Sequence, residues 1–297
     1  MSEKNIICFG EVLWDCLPRG LFLGGAPFNV AYHLHRLGRL PLMVSSVGND
    51  FLGEETLERM DRAGLDTGYV KVRDDLRTGA VKVRINEAGN ASYDILHPAA
   101  WDRVELDDDD LRELRYAGGI VYGSLAMRDT PNRRTLERLL DGFGGLKVCD
   151  VNLRPSFDDR DYGLELMRRA DVVKLNDEEL AELTGEEVSM DAPESALDAL
   201  RGLTGNERVC VTFGAEGALL AEDGRIVRAV APDVDVRDTV GAGDAFTAAL
   251  VDRLLAGFAA AEDPDLLEWP CALGAFVASR DGAQPDYDPG EVAAALR

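Results

Sequence analysis

The residues from Asp238 to Phe246, Asp238-Thr239-Val240-Gly241-Ala242-Gly243-Asp244-Ala245-Phe246, combine what phosphate chemistry needs. Gly241, Ala242 and Gly243 have little or no side chain, so an anion can approach their backbone closely. Ala245, Phe246, Ala249, Leu250 and Leu254 follow at helical spacing, so the glycine turn opens a helix. The N–H groups and the dipole at a helix start both favour an anion. Asp244 then sets a proton-accepting carboxylate beside that anion. An anion hole next to a general base is the minimum equipment for phosphoryl transfer to a hydroxyl. The plain structural alternative is a glycine turn with an aspartate capping a helix.

A second segment, Gly24-Gly25-Ala26-Pro27-Phe28-Asn29-Val30-Ala31, has a similar layout. Its two glycines let the backbone contact a ligand, and Asn29 sits one turn into the following helix. A carboxamide and a carboxylate suit sugar hydroxyls, which both donate and accept hydrogen bonds. A tight strand-to-helix connection would use the same residues. Taken together, the two segments resemble the C-terminal and N-terminal motifs of the PfkB (ribokinase-like) carbohydrate kinases. The N-terminal one has the form carried by fructokinases, and the resemblance spans essentially the whole chain. It implies an α/β fold: a ribokinase-like three-layer αβα sandwich with a mostly parallel central sheet and a small antiparallel β lid.

The resemblance also implies roles, position by position. Asp244 matches the catalytic base, and the N–H groups of Gly241, Ala242 and Gly243 match the anion hole. Gly24, Gly25 and Asn29 match the sugar site, joined by Asp15 just after the first strand. In Lys174-Leu175-Asn176-Asp177-Glu178-Glu179, Asn176 and Glu179 match an Asn-x-x-Glu near the nucleotide phosphates and the magnesium shell. Mg²⁺ prefers oxygen ligands and retains waters, so Glu179 is expected to act through water. The same spacing equally suits an N-cap with its capping-box partner. Thr212, Gly214 and Gly217 match a Thr-x-Gly-x-x-Gly that contacts the nucleotide. Gly282, with Ala283, matches a segment lining the adenine and monovalent-cation sites, and Asp238 and the Val240 carbonyl match K⁺ ligands. In Asp150-Val151-Asn152-Leu153-Arg154-Pro155, the proline keeps Arg154 extended. Its guanidinium could neutralise a transferring phosphate bidentately, although a surface salt bridge is the commoner fate of arginine.

These segments need a scaffold that brings them together. Apolar β-rich runs at Ile6–Phe9, Leu42–Val47, Gly119–Tyr122, Leu146–Val151, Val172–Lys174 and Val209–Thr212 predict strands. Helical patterns lie between them, at Phe28–Leu37, Phe51–Ala63, Asn132–Leu140, Leu164–Ala170, Asp177–Leu183 and Glu194–Leu203. Such alternation predicts a largely parallel sheet covered by helices. Two more helices, Gly243–Leu255 and Leu266–Ser279, are expected at the end. The rhythm breaks between Tyr69 and Leu96, where short strands at Tyr69–Arg73, Gly79–Asn86 and Ala91–Leu96 predict an inserted antiparallel unit. A single kinase domain over 1–297 is expected, with a lid built mainly from about 12–24 and 69–97. The Asp15–Gly24 segment is short for a fructokinase, which predicts a small lid.

Bulk composition narrows the partners. A net charge of −23 argues against nucleic acid and anionic membranes. No apolar run reaches transmembrane length, and the first residues lack a signal-peptide layout, so a cytoplasmic protein is expected. Asp107-Asp108-Asp109-Asp110 reads as solvated surface, and the acidic excess suggests adaptation to high salt. Five scattered cysteines read as small buried hydrophobes, and the three histidines lack a metal-binding spacing. Gly-x-Gly-x-x-Gly and the P-loop pattern are both absent.

The expected function is ATP- and Mg²⁺-dependent phosphorylation of a monosaccharide primary hydroxyl, with fructose foremost and K⁺ as a further cofactor. A homodimer is expected by family analogy. Alternatives are a 2-keto-3-deoxygluconate kinase, a ribokinase or nucleoside kinase, or a non-catalytic sugar-binding regulator on the same fold.

Overall fold

A computed structural model describes residues 5–17, 20–85, 91–153 and 159–295. Its large sheet has nine strands: β1 (Asn5–Phe9), β4 (Leu40–Gly48), β5 (Val70–Arg73), β8 (Gly119–Tyr122), β9 (Leu146–Asp150), β10 (Val172–Asn176), β11 (Val209–Thr212), β12 (Ala218–Glu222) and β13 (Arg225–Ala229). Their order is β13-β12-β11-β10-β9-β8-β1-β4-β5. All neighbours are parallel except at one edge, where β12 runs antiparallel to both β11 and β13.

The strands are apolar on both faces, as a sheet covered on both sides requires. Along β1, Ile7 and Phe9 join one core while Ile6 and Cys8 join the other. The first core is closed by α3 (Asp108–Leu114), α4 (Thr130–Leu140), α5 (Arg160–Arg168), α6 (Asp177–Thr184) and α7 (Glu194–Thr204). The second is closed by α1 (Ala26–Arg36), α2 (Phe51–Arg62), α8 (Ala242–Leu255) and α9 (Glu268–Ala278). A short α10 (Pro289–Ala295) packs outside α8 and α9 through Val292. The result is the expected three-layer αβα sandwich.

A second sheet of four strands has the order β3 (Gly20–Gly24), β2 (Leu13–Leu17), β6 (Gly79–Ile85), β7 (Ala91–Ile95). It consists of two antiparallel pairs, β2/β3 and β6/β7, joined by parallel β2/β6 pairing. The strand at Val70–Arg73, expected in this unit, lies instead at the edge of the large sheet. It follows β4 and α2, and a strand–helix–strand crossover returns its last strand parallel to the first. Val70 is buried there against β4, so the inserted unit begins only at Gly79.

Asp107, Asp108 and Asp109 are exposed, as expected, and local chemistry gives the run a further role. Asp107 caps α3 by accepting from the Asp109 and Asp110 N–H groups, so the acidic run is a helix start with favourable charge for the dipole. Cys8, Cys149, Cys210 and Cys271 are buried thiols, but Cys16 is half-buried on the small sheet.

Candidate active site

Strand register assembles one side of the site. Lys174 lies opposite Asp150 between β10 and β9, and Asn176 lies opposite Thr212 between β10 and β11. Asp150, Asn176 and Thr212 therefore end three adjacent parallel strands, where open α/β sheets place ligands, and Lys174 lies two residues before the end of β10. Asn176 caps α6: its Oδ1 accepts from the Glu179 N–H at 2.8 Å, and Glu179 Oε2 accepts from the Asn176 N–H at 2.9 Å. The capping box is thus real, and Glu179 Oε1 also accepts from the Leu153 N–H at 2.8 Å. Past Thr212 the chain turns through Gly214 and Gly217, both at positive φ, into β12. Arg154 lies outside the described residues.

The second component is the start of α8. Gly241 is its N-cap in the left-handed region, at φ 80°, which glycine adopts without steric penalty. Ala242, Gly243 and Asp244 form the first turn, whose N–H groups have no i−4 carbonyl within the helix. A Cβ on Gly241 would lie 2.5 Å from the Ala283 Cβ, so the Gly282–Ala283 loop packs directly on this turn. Asp238 ties the two together, accepting from the Val240 N–H at 3.1 Å and the Gly282 N–H at 3.3 Å.

The third component is the start of α1. Gly25 is its N-cap at φ 113°, and a Cβ there would lie 2.5 Å from the Glu11 carbonyl oxygen. No other residue fits so close to the β1–β2 connection. Gly24 ends β3, and a Cβ on it would meet Asp15 Oδ2 of β2 at 2.8 Å. The helices α1 and α8 pack against each other, and this brings Asn29 to Asp244. The Asn29 Nδ2 donates to Asp244 Oδ2 at 2.7 Å across 215 residues of sequence. Asn29 is only 4% exposed. The Gly241–Gly243 turn, the Asp244 carboxylate and the Asn29 carboxamide thus share one place.

Beneath them lies a buried charge network absent from the sequence reading. Lys174, in the apolar strand β10, sends its ammonium to Asp150 Oδ1 at 3.1 Å. Asp150 Oδ2 accepts from Thr247 Oγ1 of α8 at 2.7 Å. A Cβ on Gly243 would lie 3.6 Å from Lys174 Nζ, so the ammonium is directly below the glycine turn that opens α8. Burial alone would depress the lysine, but Asp150, Glu179 and Asp244 outweigh it and hold its pKa above the ordinary value. The same burial pushes the Glu179 carboxyl up, against the pull of the Asn176 N–H and Lys174. The available signal was a single cation inside an otherwise apolar strand.

Two further contacts were not expected. Gln284 Nε2 donates to Asn29 Oδ1 at 2.6 Å. Buried His33 bridges the Tyr287 hydroxyl and the Ala283 carbonyl, both at 2.9 Å. Elsewhere, His97, Asp102 and Asp129 come close together beside the small sheet. Arg128 already neutralises Asp102 through two hydrogen bonds of 2.6 and 2.7 Å.

A parallel-sheet sandwich whose strand ends face a glycine-opened helix and a carboxylate defines a phosphotransferase class of site. The match to the pfkB family carbohydrate kinase model covers residues 4–289, and the chain belongs to that family. It is 31% identical to a fructokinase of Rhizobium leguminosarum bv. trifolii, over 84% of this chain and 79% of that one. The structure of a fructokinase with bound ATP from Xylella fastidiosa superposes with a TM-score of 0.84 at 26% identity, covering 98% of each chain. A fructokinase from Vibrio cholerae O395, in a fructose-, ADP- and calcium-bound form, gives 0.84 at 25% identity over all of both chains. The protein is therefore a carbohydrate kinase, and fructokinases are among the proteins it is similar to. Among the described residues, no helix is long and apolar enough to cross a membrane.

Proposed function

We propose that the protein transfers the γ-phosphate of ATP to a primary hydroxyl of a monosaccharide, converting fructose to fructose 6-phosphate. The observation that carries this reading is the 2.7 Å contact between Asn29 and Asp244. It sets a sugar-binding carboxamide against a carboxylate at the start of the anion-binding helix. The fructose assignment draws its support from the fructokinase relatives and from the Ala26-Pro27-Phe28-Asn29 string.

In this reading Asp15, Gly24, Gly25 and Asn29 hold the sugar beneath the small sheet. Asp244 accepts the hydroxyl proton as that oxygen attacks. The N–H groups of Gly241, Ala242 and Gly243, with Arg154, stabilise the charge that develops, and each such donor contributes about 3 kcal/mol. Asn176, Thr212, Gly214, Gly217 and Gly282 hold the nucleotide.

Each Glu179 oxygen spends one lone pair on a backbone N–H, so the donor set suits Mg²⁺ held through water. Bound magnesium would neutralise phosphate charge. The Asp238 carboxylate and the Val240 carbonyl offer hard oxygens for K⁺. Leu21 and Phe22, exposed on β3, are the expected contacts of a cytoplasmic homodimer, which light scattering would test against a monomer.

The test is a coupled ADP-release assay with Mg-ATP. The panel is fructose, ribose, 2-keto-3-deoxygluconate, adenosine and fructose 6-phosphate. Preference for fructose is expected. Preference for another acceptor keeps the kinase chemistry and overturns the substrate. Sugar binding without ADP release points to a non-catalytic relative.

A further inference from the structure

The direction of the Asn29 amide is set by a residue that the family motifs do not include. The carbonyl oxygen of Leu23, at the end of β3, can only accept hydrogen bonds. It lies 3.0 Å from Gln284 Nε2, so Gln284 must present its NH₂ there. The same nitrogen donates to Asn29 Oδ1 at 2.6 Å. That contact holds the Asn29 oxygen away from Asp244 and turns Nδ2 toward the carboxylate at 2.7 Å. The result is a one-way chain of donors: Gln284 gives to Leu23 and Asn29, and Asn29 gives to Asp244.

The Gln284 backbone is held on both sides. Ala283 accepts from His33 Nε2 at 2.9 Å, and Pro285 accepts from the Tyr32 hydroxyl at 3.0 Å. Both partners lie on α1, the helix that carries Asn29.

We infer that Gln284 is a positioning residue for the sugar site, acting through Asn29 to keep a donor on Asp244. A donor there favours the ionised carboxylate, the form that accepts a proton. A reversed Asn29 amide would put an oxygen against that carboxylate and offer the sugar the wrong partner. The inference rests on the sugar-kinase reading above and extends it to a residue outside the motifs.

Gln284→Glu tests it, because the side chain keeps its length but becomes acceptor-only. Two acceptors, Leu23 O and Asn29 Oδ1, would then face it, and the Asn29 amide must turn over. The sugar KM is expected to rise roughly tenfold or more and kcat to fall, while KM for ATP stays near wild type. Gln284→Met, which removes the donor without reversing polarity, is expected to fall between the two. In an Asn29→Ala background, Gln284→Glu should cost clearly less than in wild type, because the loss that runs through Asn29 is already gone and only the Leu23 contact remains. Wild-type sugar KM and kcat in Gln284→Glu, or an additive loss in that background, would overturn the inference. A second reading needs no turnover. The Asn29 side-chain amide NMR signal, assigned by its loss in Asn29→Ala, is expected to shift in Gln284→Glu; an unmoved signal sinks the idea. A wild-type enzyme inactive on the whole panel would instead sink the substrate reading and leave this NMR test to decide on Gln284.

Discussion

Lys174 and Asp150 form a buried ion pair, 3.1 Å apart, from the middle of β10 to the end of the neighbouring parallel strand β9. Through the second oxygen of Asp150 the pair also holds Thr247 of α8. The helix that opens with Gly241–Gly243 is therefore fastened to the sheet by charge as well as by its apolar face. Lys174→Met keeps the volume and removes the ammonium, leaving Asp150 and Glu179 without their buried counter-charge. Breaking one partner of such a pair costs about 3–5 kcal/mol. Urea denaturation should show that loss, together with reduced turnover. A variant as stable and active as wild type would show that the ammonium is dispensable.

Asp244→Asn preserves the shape of the side chain but removes the proton acceptor. A fall of at least ~100-fold in kcat is expected, in line with the usual contribution of a general base. Binding of the sugar and of Mg-ATP, measured by calorimetry, should survive. Near-normal turnover would remove Asp244 from the chemistry.

Gly241→Ala tests the packing between the proposed anion turn and the Gly282–Ala283 loop, proposed to serve the nucleotide. Its φ of 80° costs an alanine roughly 1–2 kcal/mol, and the new Cβ would also press on Ala283 at 2.5 Å. The Gly282–Ala283 loop must shift, so KM for ATP should rise more than KM for the sugar. An unchanged ATP KM would mean that the loop does not serve the nucleotide.

His33 makes stability depend on pH. Burial, with a smaller push from Arg36, lowers its pKa to about 4 against the pull of the Ala283 carbonyl. Its Nε2 must carry the proton to serve that carbonyl, and Nδ1 then accepts from the Tyr287 hydroxyl. In the unfolded chain the ring titrates near 6.5, so only the unfolded state gains a proton as pH falls below that value. This contribution is complete above about 6.5 and is lost progressively toward about 4, up to about 3 kcal/mol in all. The melting temperature should fall more steeply over this window in wild type than in His33→Gln. Parallel curves would show that the imidazole does not control it.

The net charge of −23 and the proposed K⁺ ligands make separable claims about salt. If acidic self-repulsion dominates, NaCl and KCl should stabilise the fold equally by screening. If Asp238 and Val240 hold K⁺, low KCl should raise activity where equal NaCl does not. A protein indifferent to both would contradict both.

Much of the fold was legible because alternating strand and helix patterns admit few solutions. The strand at Val70–Arg73 was misplaced because a short β-rich run says nothing about its neighbour. Only the crossover through α2 assigns it to β4. The acidic run at Asp107 is solvated surface, as its composition predicts, but that it also caps a helix follows only from its backbone geometry.

The sequence by itself determined where the chain turns on glycine and what stands next to those turns. Gly25, Gly241 and their neighbours are local requirements written in adjacent residues. It also determined the sandwich, since apolar strands separated by amphipathic helices must be covered on both faces. Only the tertiary structure decided which distant groups meet. Asn29 reaches Asp244 because α1 and α8 pack together, Lys174 reaches Asp150 because β10 and β9 are in register, and Gln284 reaches Asn29 because its loop folds back onto α1. Hydrogen bonds and buried charges act over a few ångströms of space, and residues 215 or 255 positions apart carry no local mark of that proximity.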